Sequence, residues 1–259
     1  MKSISIALAY CSNDYCFLKS CIDHVLPFAQ EVVVVSCDHY WNGEAENHEL
    51  LNKGAAENPG ATFITFEYDP TKDTMWHNVM TRRIACQAFE KPADYILFLD
   101  ADEIIEAANL IEWWKTQQSN PLDVYKFANY WYFRDFCFQS TKWEDSVVLV
   151  KNDPSCINDY TFDSSQHGDR NAFYDKNPTP RKARMVTFNN KPFIHHYSWV
   201  RTHQAMLQKV RSWGHNANQD WVSLVNKEFS APWRGYDLIF PERQLKYNTV
   251  DPYVKIDIG

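Results

Sequence analysis

Apolar and polar positions along the chain keep switching between strand-like and helix-like spacing. Ile4 to Tyr10 is mostly apolar and predicts a first strand. Ser12-Asn13-Asp14 is a turn and helix-start signal. The pairs Phe17/Leu18, Cys21/Ile22 and Val25/Leu26 then recur at helical spacing and stop near Pro27. Glu31 to Asp38 predicts a second strand, apolar through its middle and ending in an acid. Gly43 to Gly60 is polar and reads as a loop with a short helix, and Ala61 to Glu67 as a third strand. Asp73-Thr74 caps a helix running to about Phe89, with Trp76, Met80, Ile84 and Ala88 expected on its buried face. Tyr95 to Leu99 is an unbroken apolar run, as in a strand covered on both faces, and it leads straight into Asp100-Ala101-Asp102-Glu103. Glu106 to Gln118 predicts a helix with Leu110, Ile111 and Trp114 inward. Strands alternating with helices predict a doubly wound α/β unit with parallel strands and right-handed crossovers.

The second half reads differently. Val124 to Phe133 and Ser146 to Val150 are strand-like with no helical pattern between them, which predicts mixed or antiparallel pairing. Asn152 to Lys182 is loop-rich and holds Asp153, Asp159, Asp163, His167, Asp169 and Asp175. A loop this long in a compact domain is usually functional. Met185 to Phe188 and Pro192 to Ile194 predict short strands leading into His195-His196-Tyr197-Ser198-Trp199-Val200-Arg201. Thr202 starts a helix with Met206, Val210 and Trp213 on one face, stopped at Gly214. The remainder is short elements separated by Pro232, Pro241 and Pro252. We expect one domain over residues 1–215, with 216–259 a helical extension packed on it.

Composition narrows the partners. A net charge of −7 and no basic stripe argue against a nucleic-acid partner. Aromatic residues make up 15% of the chain, enough to line a site that stacks flat rings or sugar faces as well as to fill a core. The seven cysteines are scattered without a zinc spacing, so free, mostly buried thiols in a reducing compartment are expected. The N-terminal stretch lacks the long apolar segment of a signal peptide, and no apolar run approaches membrane-spanning length. The expected location is cytoplasmic, with peripheral membrane contact left open.

The candidate chemistry lies at the strand ends. Asp100 and Asp102 are two residues apart, so in extended backbone their carboxylates leave on one side. Two such acids at a strand's carboxyl end can share Mg²⁺ or Mn²⁺, which in turn holds a diphosphate. Asp38 ends the second strand on the same rim, as a turn acid or an acceptor for a base or ribose. Arg82 and Arg83 are placed to reach a phosphate or to remain on a solvated face.

The parallel α/β half, the Phe-Leu-Asp-Ala-Asp-Glu strand end, and the later His-Tyr-Ser-Trp-Val-Arg followed by Met206-x-x-Lys209 resemble a nucleotide-sugar glycosyltransferase of GT-A fold, glycosyltransferase family 2 in particular. The resemblance covers about residues 1–215. It implies a GT-A (Rossmann-like) sheet, mostly parallel and flanked by helices, with a mixed second half. It also implies an enzyme, a hexosyl or pentosyl transferase, that takes a sugar from a nucleotide-diphosphate donor to a glycan or glycolipid hydroxyl with inversion.

Residue by residue, the resemblance makes Asp100 and Asp102 the metal and ribose acids, with Asp102 the surer ligand. It makes His196 a further metal ligand, with His195 the runner-up. Tyr10 and Asp38 would hold the base and ribose, Arg82 matches a basic position before the metal strand, and Arg201 and Lys209 would neutralise the diphosphate. Ser36-Cys37-Asp38-His39-Tyr40 departs from the Asp-Gly-Ser type of run, which leaves the nucleotide open. An acceptor hydroxyl needs a carboxylate base. By position in the long loop Asp163 is the first choice, Asp169 the second and Glu144-Asp145 the third. Two other readings remain. One is a non-catalytic sugar- or nucleotide-binding module on the same fold. The other is a haloacid-dehalogenase-type phosphatase, which normally carries its Asp-x-Asp early in the chain.

Overall fold

The computed structural model describes all residues except Pro92, 163–169, Ala217 and Gly259. The first half builds the predicted order: β1 (Ile4–Ala9), α1 (Tyr15–Val25), β2 (Ala29–Cys37), α2 (His48–Glu57), β3 (Thr62–Phe66), α3 (Thr74–Ala88) and β4 (Tyr95–Asp100). The strands pair in parallel in the order β3-β2-β1-β4. The apolar runs of β1, β2 and β4 are buried on both faces, while the edge strand β3 stays half-exposed. Ile6, Leu8, Leu97 and Leu99 join α1 in one core, while Ala7, Val33, Val35, Ile96 and Phe98 join Ala85 of α3 in the other. Each fully buried Leu, Val or Phe adds roughly 1.5–3 kcal/mol of transfer free energy, enough to set the register of the sheet.

The chain then continues through β5 (Glu103–Ile105), α4 (Ala107–Gln117), β6 (Val124–Phe133), β7 (Asp135–Ser140) and β8 (Glu144–Lys151). Beyond them lie α5 (Arg170–Asp175), β9 (Lys182–Val186), β10 (Ile194–Trp199), α6 (His203–Ser212), α7 (Trp221–Phe229) and β11 (Tyr247–Thr249). Here the pairing becomes mostly antiparallel: β8 lies against β4, β6 against β8, β7 against β6 and β11 against β7. Strand β10 runs parallel to β6 and antiparallel to β5. This is the GT-A-like arrangement expected, with a parallel first half, a mixed second half and flanking helices. Among the described residues no helix is long and apolar enough to cross a membrane.

Several local expectations are corrected. In helix α3, Trp76, Met80, Ile84 and Ala88 are only half-buried, with Ile84 and Ala88 packed against the core, and the fully buried residues are His77, Asn78, Val79, Thr81, Arg82 and Ala85. That polar face is turned inward because it meets charged groups at the ends of the strands. Helix α4 buries Trp113 with Leu110 and Trp114, leaving Ile111 half-buried. The strands expected at 185–188 and 192–194 form instead at Lys182–Val186 and Ile194–Trp199, so the His-His pair lies inside β10. A short helix, α5, falls within the expected loop. All seven cysteines are free, though only Cys21, Cys37 and Cys156 are buried.

The C-terminal segment contributes a strand as well as a helix. Tyr247, Phe240 and Leu245 pack with Trp131, Phe133 and Trp199 in one apolar cluster. Beside it, Glu228 of α7 is wholly buried and accepts from Arg134 at 3.3 Å, from Arg234, and from the backbone N–H of Leu238 at 2.8 Å. Removing one partner of a buried ionic cluster strands the others. Glu228→Ala is therefore expected to lower unfolding free energy by about 3 kcal/mol, as a reduced urea midpoint with an unchanged slope. A loss below about 0.5 kcal/mol would show the two arginines to be solvated without it.

Candidate active site

The carboxyl ends of β1, β2 and β4 open into a cleft of about 510 Å³, the place where open α/β sheets bind ligands. Tyr10, Arg82, Asp100, Asp102, His196 and Lys209, all singled out from the sequence, line it. The opposite wall comes from the second half and the C-terminal segment, including Trp131, Glu144, Trp213, Trp221, Phe240 and Arg243.

Asp100 and Asp102 both reach the cleft, but the backbone that carries them there is not extended throughout. Strand β4 ends at Asp100, and a turn at Ala101-Asp102 separates it from β5. The turn gives the two acids different surroundings. Asp100 remains a third exposed and accepts from Arg82 Nη2 at 2.9 Å. Asp102 is buried, and its Oδ2 accepts from Arg201 at 3.1 Å and from Lys209 at 3.0 Å. Burial opposes its charge, but Lys209, His196 and Arg201 outweigh it and hold the carboxyl well below its ordinary range. Glu103 lies wholly buried beneath them. It accepts from the Asp100 backbone N–H at 2.9 Å and from Ser146 Oγ at 2.6 Å.

Arg201 does not line the cleft. Its guanidinium lies behind the acids and donates to Asp14, Asp102 and the carbonyls of Asn13 (2.7 Å) and Ser198 (3.0 Å). Lys209, one helical stretch further on, is the cation that reaches the cleft wall.

The two histidines point to opposite sides of β10, as alternation requires. His195 faces away from the cleft: its ring contacts Tyr132 Oη at 2.7 Å and Glu106 at 2.9 Å and stacks on Tyr253. His196 faces the cleft, with Nε2 3.6 Å from Asp102 Oδ1 and 3.9 Å from Glu103. Its buried Nδ1 has no partner among the described residues. The 3.6 Å gap is too long for a hydrogen bond, yet a cation with ligand distances of about 2.1 Å spans it. Among the described residues no group of three His, Cys, Asp or Glu side chains is arranged to hold a metal ion. Asp102 and His196 are the pair at this rim that could hold a Mg²⁺- or Mn²⁺-type ion, with the remaining ligands left to phosphate and water.

At the far end, Tyr10 donates to the Leu50 carbonyl at 3.3 Å, and burial pushes its hydroxyl far above the ordinary tyrosine value. Asp38 does not line the cleft. Its Oδ1 accepts from the Tyr68 backbone N–H and from His39 Nδ1, both at 2.8 Å. The sequence reading missed His39, Tyr40 and Glu46, which do line it. Glu46 is buried and accepts from Ser12 through both N–H (3.2 Å) and Oγ. Its only sequence signal was an acid in a polar loop. Among the expected bases, Asp163 and Asp169 lie outside the described residues, whereas Glu144 and Asp145 line the cleft. Asp145 is committed to Lys126 at 3.2 Å and to Arg184. Burial pushes the Glu144 carboxyl up despite its pairing with Arg243.

No protein-family model matches the sequence, and no curated protein does either. Solved structures do. S. aureus TarS (residues 1–349) is 12% identical over 88% of this chain and 69% of its own, with a TM-score of 0.47. The mannosyltransferase PcManGT from Pyrobaculum calidifontis, in complex with GDP-Man and Mn²⁺, is 10% identical over 82% of this chain and 61% of its own, at 0.47. CMP:2-keto-3-deoxy-manno-octonic acid synthetase with CTP is 9% identical over 72% and 91%, at 0.43. With TM-scores below 0.5, these likenesses carry no functional weight.

Glu46 gives the cleft a measurable pH signature. Burial raises its carboxyl to about 7, so the folded state keeps a proton that the unfolded chain releases near the ordinary glutamate value. Its contribution to stability is thus full below about pH 4.5 and lost as pH rises through about 7. Urea unfolding at about pH 5 and about pH 8 should show wild type losing more stability at the higher pH than Glu46→Gln. Equal losses would mean that Glu46 ionises freely.

Proposed function

We propose that this chain transfers a sugar, with inversion, from a nucleotide-diphosphate donor to a hydroxyl of a glycan or glycolipid acceptor. The observation that carries the reading is the cluster at the β4 end: Asp102 held by Lys209 and Arg201, with His196 across a 3.6 Å gap and Asp100 beside it. It gathers acids for a cation and bases for a diphosphate at the one rim where such a sheet binds ligands. We assign the transferase unit to residues 1–215 and read 216–259 as an extension on the same domain; Phe240 and Arg243 of that extension complete the cleft wall.

Each residue has a role in this reading. Lys209 faces the diphosphate and stabilises its negative charge as the glycosidic bond breaks. Arg201 remains behind Asp102 and keeps its carboxylate ionised and oriented. Arg82 fixes Asp100, which lines the cleft on the side we assign to the donor ribose. A divalent cation held by Asp102 and His196, Mn²⁺ or Mg²⁺, would supply Lewis-acid stabilisation of the leaving diphosphate. Glu144 takes the acceptor proton: it lines the opposite wall, and a raised carboxyl suits a base near neutral pH. Asp163 and Asp169 are the alternative bases. The aromatic wall excludes water, which limits hydrolysis of the donor.

Thermal shift of the full chain with UDP, GDP, CDP and dTDP, each with and without Mn²⁺, tests the donor site. A ligand that binds the native state raises the melting temperature by mass action. We expect a shift that needs one nucleotide class and the metal, and that Asp102→Asn removes. No shift with any nucleotide would end the transferase reading. Glu144→Gln should keep nucleotide binding and lose transfer by roughly a hundredfold or more. Full transfer by that variant would move the base to Asp163 or Asp169.

A further inference from the structure

The nucleoside end of the cleft carries one polar side chain whose chemistry is fixed from behind. His39 follows Asp38 at the end of β2, and its imidazole is about a third exposed into the cleft. Its backbone is tightly held. His39 bridges to Ala45, Tyr40 N–H donates to Glu44 O at 2.8 Å, Gly43 N–H to Tyr40 O at 2.8 Å, and Glu46 N–H to Asp38 O at 3.2 Å. Gly43 makes this turn at φ +86°, where a side chain would be strained. The ring leans on Tyr68, with centroids 5.3 Å apart.

Asp38 sets the tautomer. Its Oδ1 is 2.8 Å from His39 Nδ1 and also accepts from the Tyr68 N–H. Burial opposes its charge, but these hydrogen bonds and His39 hold the carboxyl below its ordinary range. An ionised carboxylate only accepts, so Nδ1 must carry the hydrogen. In the neutral ring, Nε2 is then a bare acceptor. The other acid at this end, Glu46, is occupied by Ser12. Tyr10, Tyr40 and Trp41 line the cleft too, and aromatic residues are the kind that pack against a flat base.

We infer that His39, held by Asp38, reads the nucleobase by accepting a ring N–H, so that the site selects uracil, thymine or guanine nucleotides over cytosine and adenine. Uracil and thymine present N3–H, and guanine N1–H, at the position where cytosine and adenine present a lone pair. Two lone pairs facing each other repel and leave the His39 acceptor desolvated without a partner. This rests on the donor-site reading and deepens it: Asp38 acts through His39 rather than on the nucleotide directly.

The test is calorimetric titration of the full chain with Mn²⁺ and UDP, CDP, GDP or ADP, at mildly alkaline pH. UDP against CDP, and GDP against ADP, compare bases of matched size. Wild type should prefer the N–H member of whichever pair it binds by about tenfold or more. His39→Phe should bring that ratio close to one while diphosphate binding persists. Asp38→Ala, which keeps the imidazole but frees its tautomer, should lower the ratio as well. It also serves as the second probe if His39→Phe does not fold. A wild-type ratio near one, or a ratio unchanged in both variants, overturns this inference and leaves the donor site standing. Failure of all four nucleotides to bind overturns both.

Discussion

The buried Arg201 guanidinium is the constraint on which the site depends. It is taken out of water at the junction of three segments: the turn that follows β1, the turn that follows β4, and the end of β10. Burying such a charge is costly, and the cost is offset only if every donor finds an acceptor and the charge finds anions. Each of the three guanidinium nitrogens of Arg201 finds an acceptor, among two carboxylates and two carbonyls. In doing so it fixes Asp102, the acid that faces His196. The same contact neutralises Asp102 in part, so the site does not gather unopposed negative charge before a ligand arrives.

Around that point the sheet changes character. Up to β4 the pairing is parallel and the three inner strands are covered on both faces; past it, β8 turns antiparallel and the chain returns across the open rim. The cleft is therefore a seam between two building modes. One wall consists of strand ends, loops and the polar face of α3. The other consists of β6, β8, α6 and the C-terminal segment, rich in tryptophan. Lys209 of α6 and Glu144 of β8 both belong to that second wall, and burial pushes the Glu144 carboxyl up.

Polar side chains turned inward explain where local pattern reasoning failed. Helix α3 shows four apolar residues at helical spacing, yet these stay half-buried while Asn78, Thr81 and Arg82 are buried beside them, where Arg82 meets Asp100. Asp38 stands at the expected strand end but is capped by Tyr68 and His39, which turns attention to its neighbour. Periodicity measures how well a face avoids water. It carries no information about an ion pair supplied by a strand far away in sequence.

The sequence by itself determined the strand–helix alternation of the first half, the strand end carrying Asp100 and Asp102, and the opposed directions of His195 and His196. Each follows from local rules: runs of apolar residues, and the two-residue alternation of a strand. The caps at Asp73 and Thr202 were legible for the same reason, because a cap is satisfied within three residues of itself. Only the tertiary structure decided that Arg201 stands behind the acids while Lys209 faces the cleft. It also decided that Glu46 is occupied by Ser12, that His39 rather than Asp38 lines the cleft, and that Phe240 and Arg243 close the far wall. Those assignments depend on which charges and hydrogen-bonding groups meet out of water, and the partners come from segments brought together only when the sheet closes.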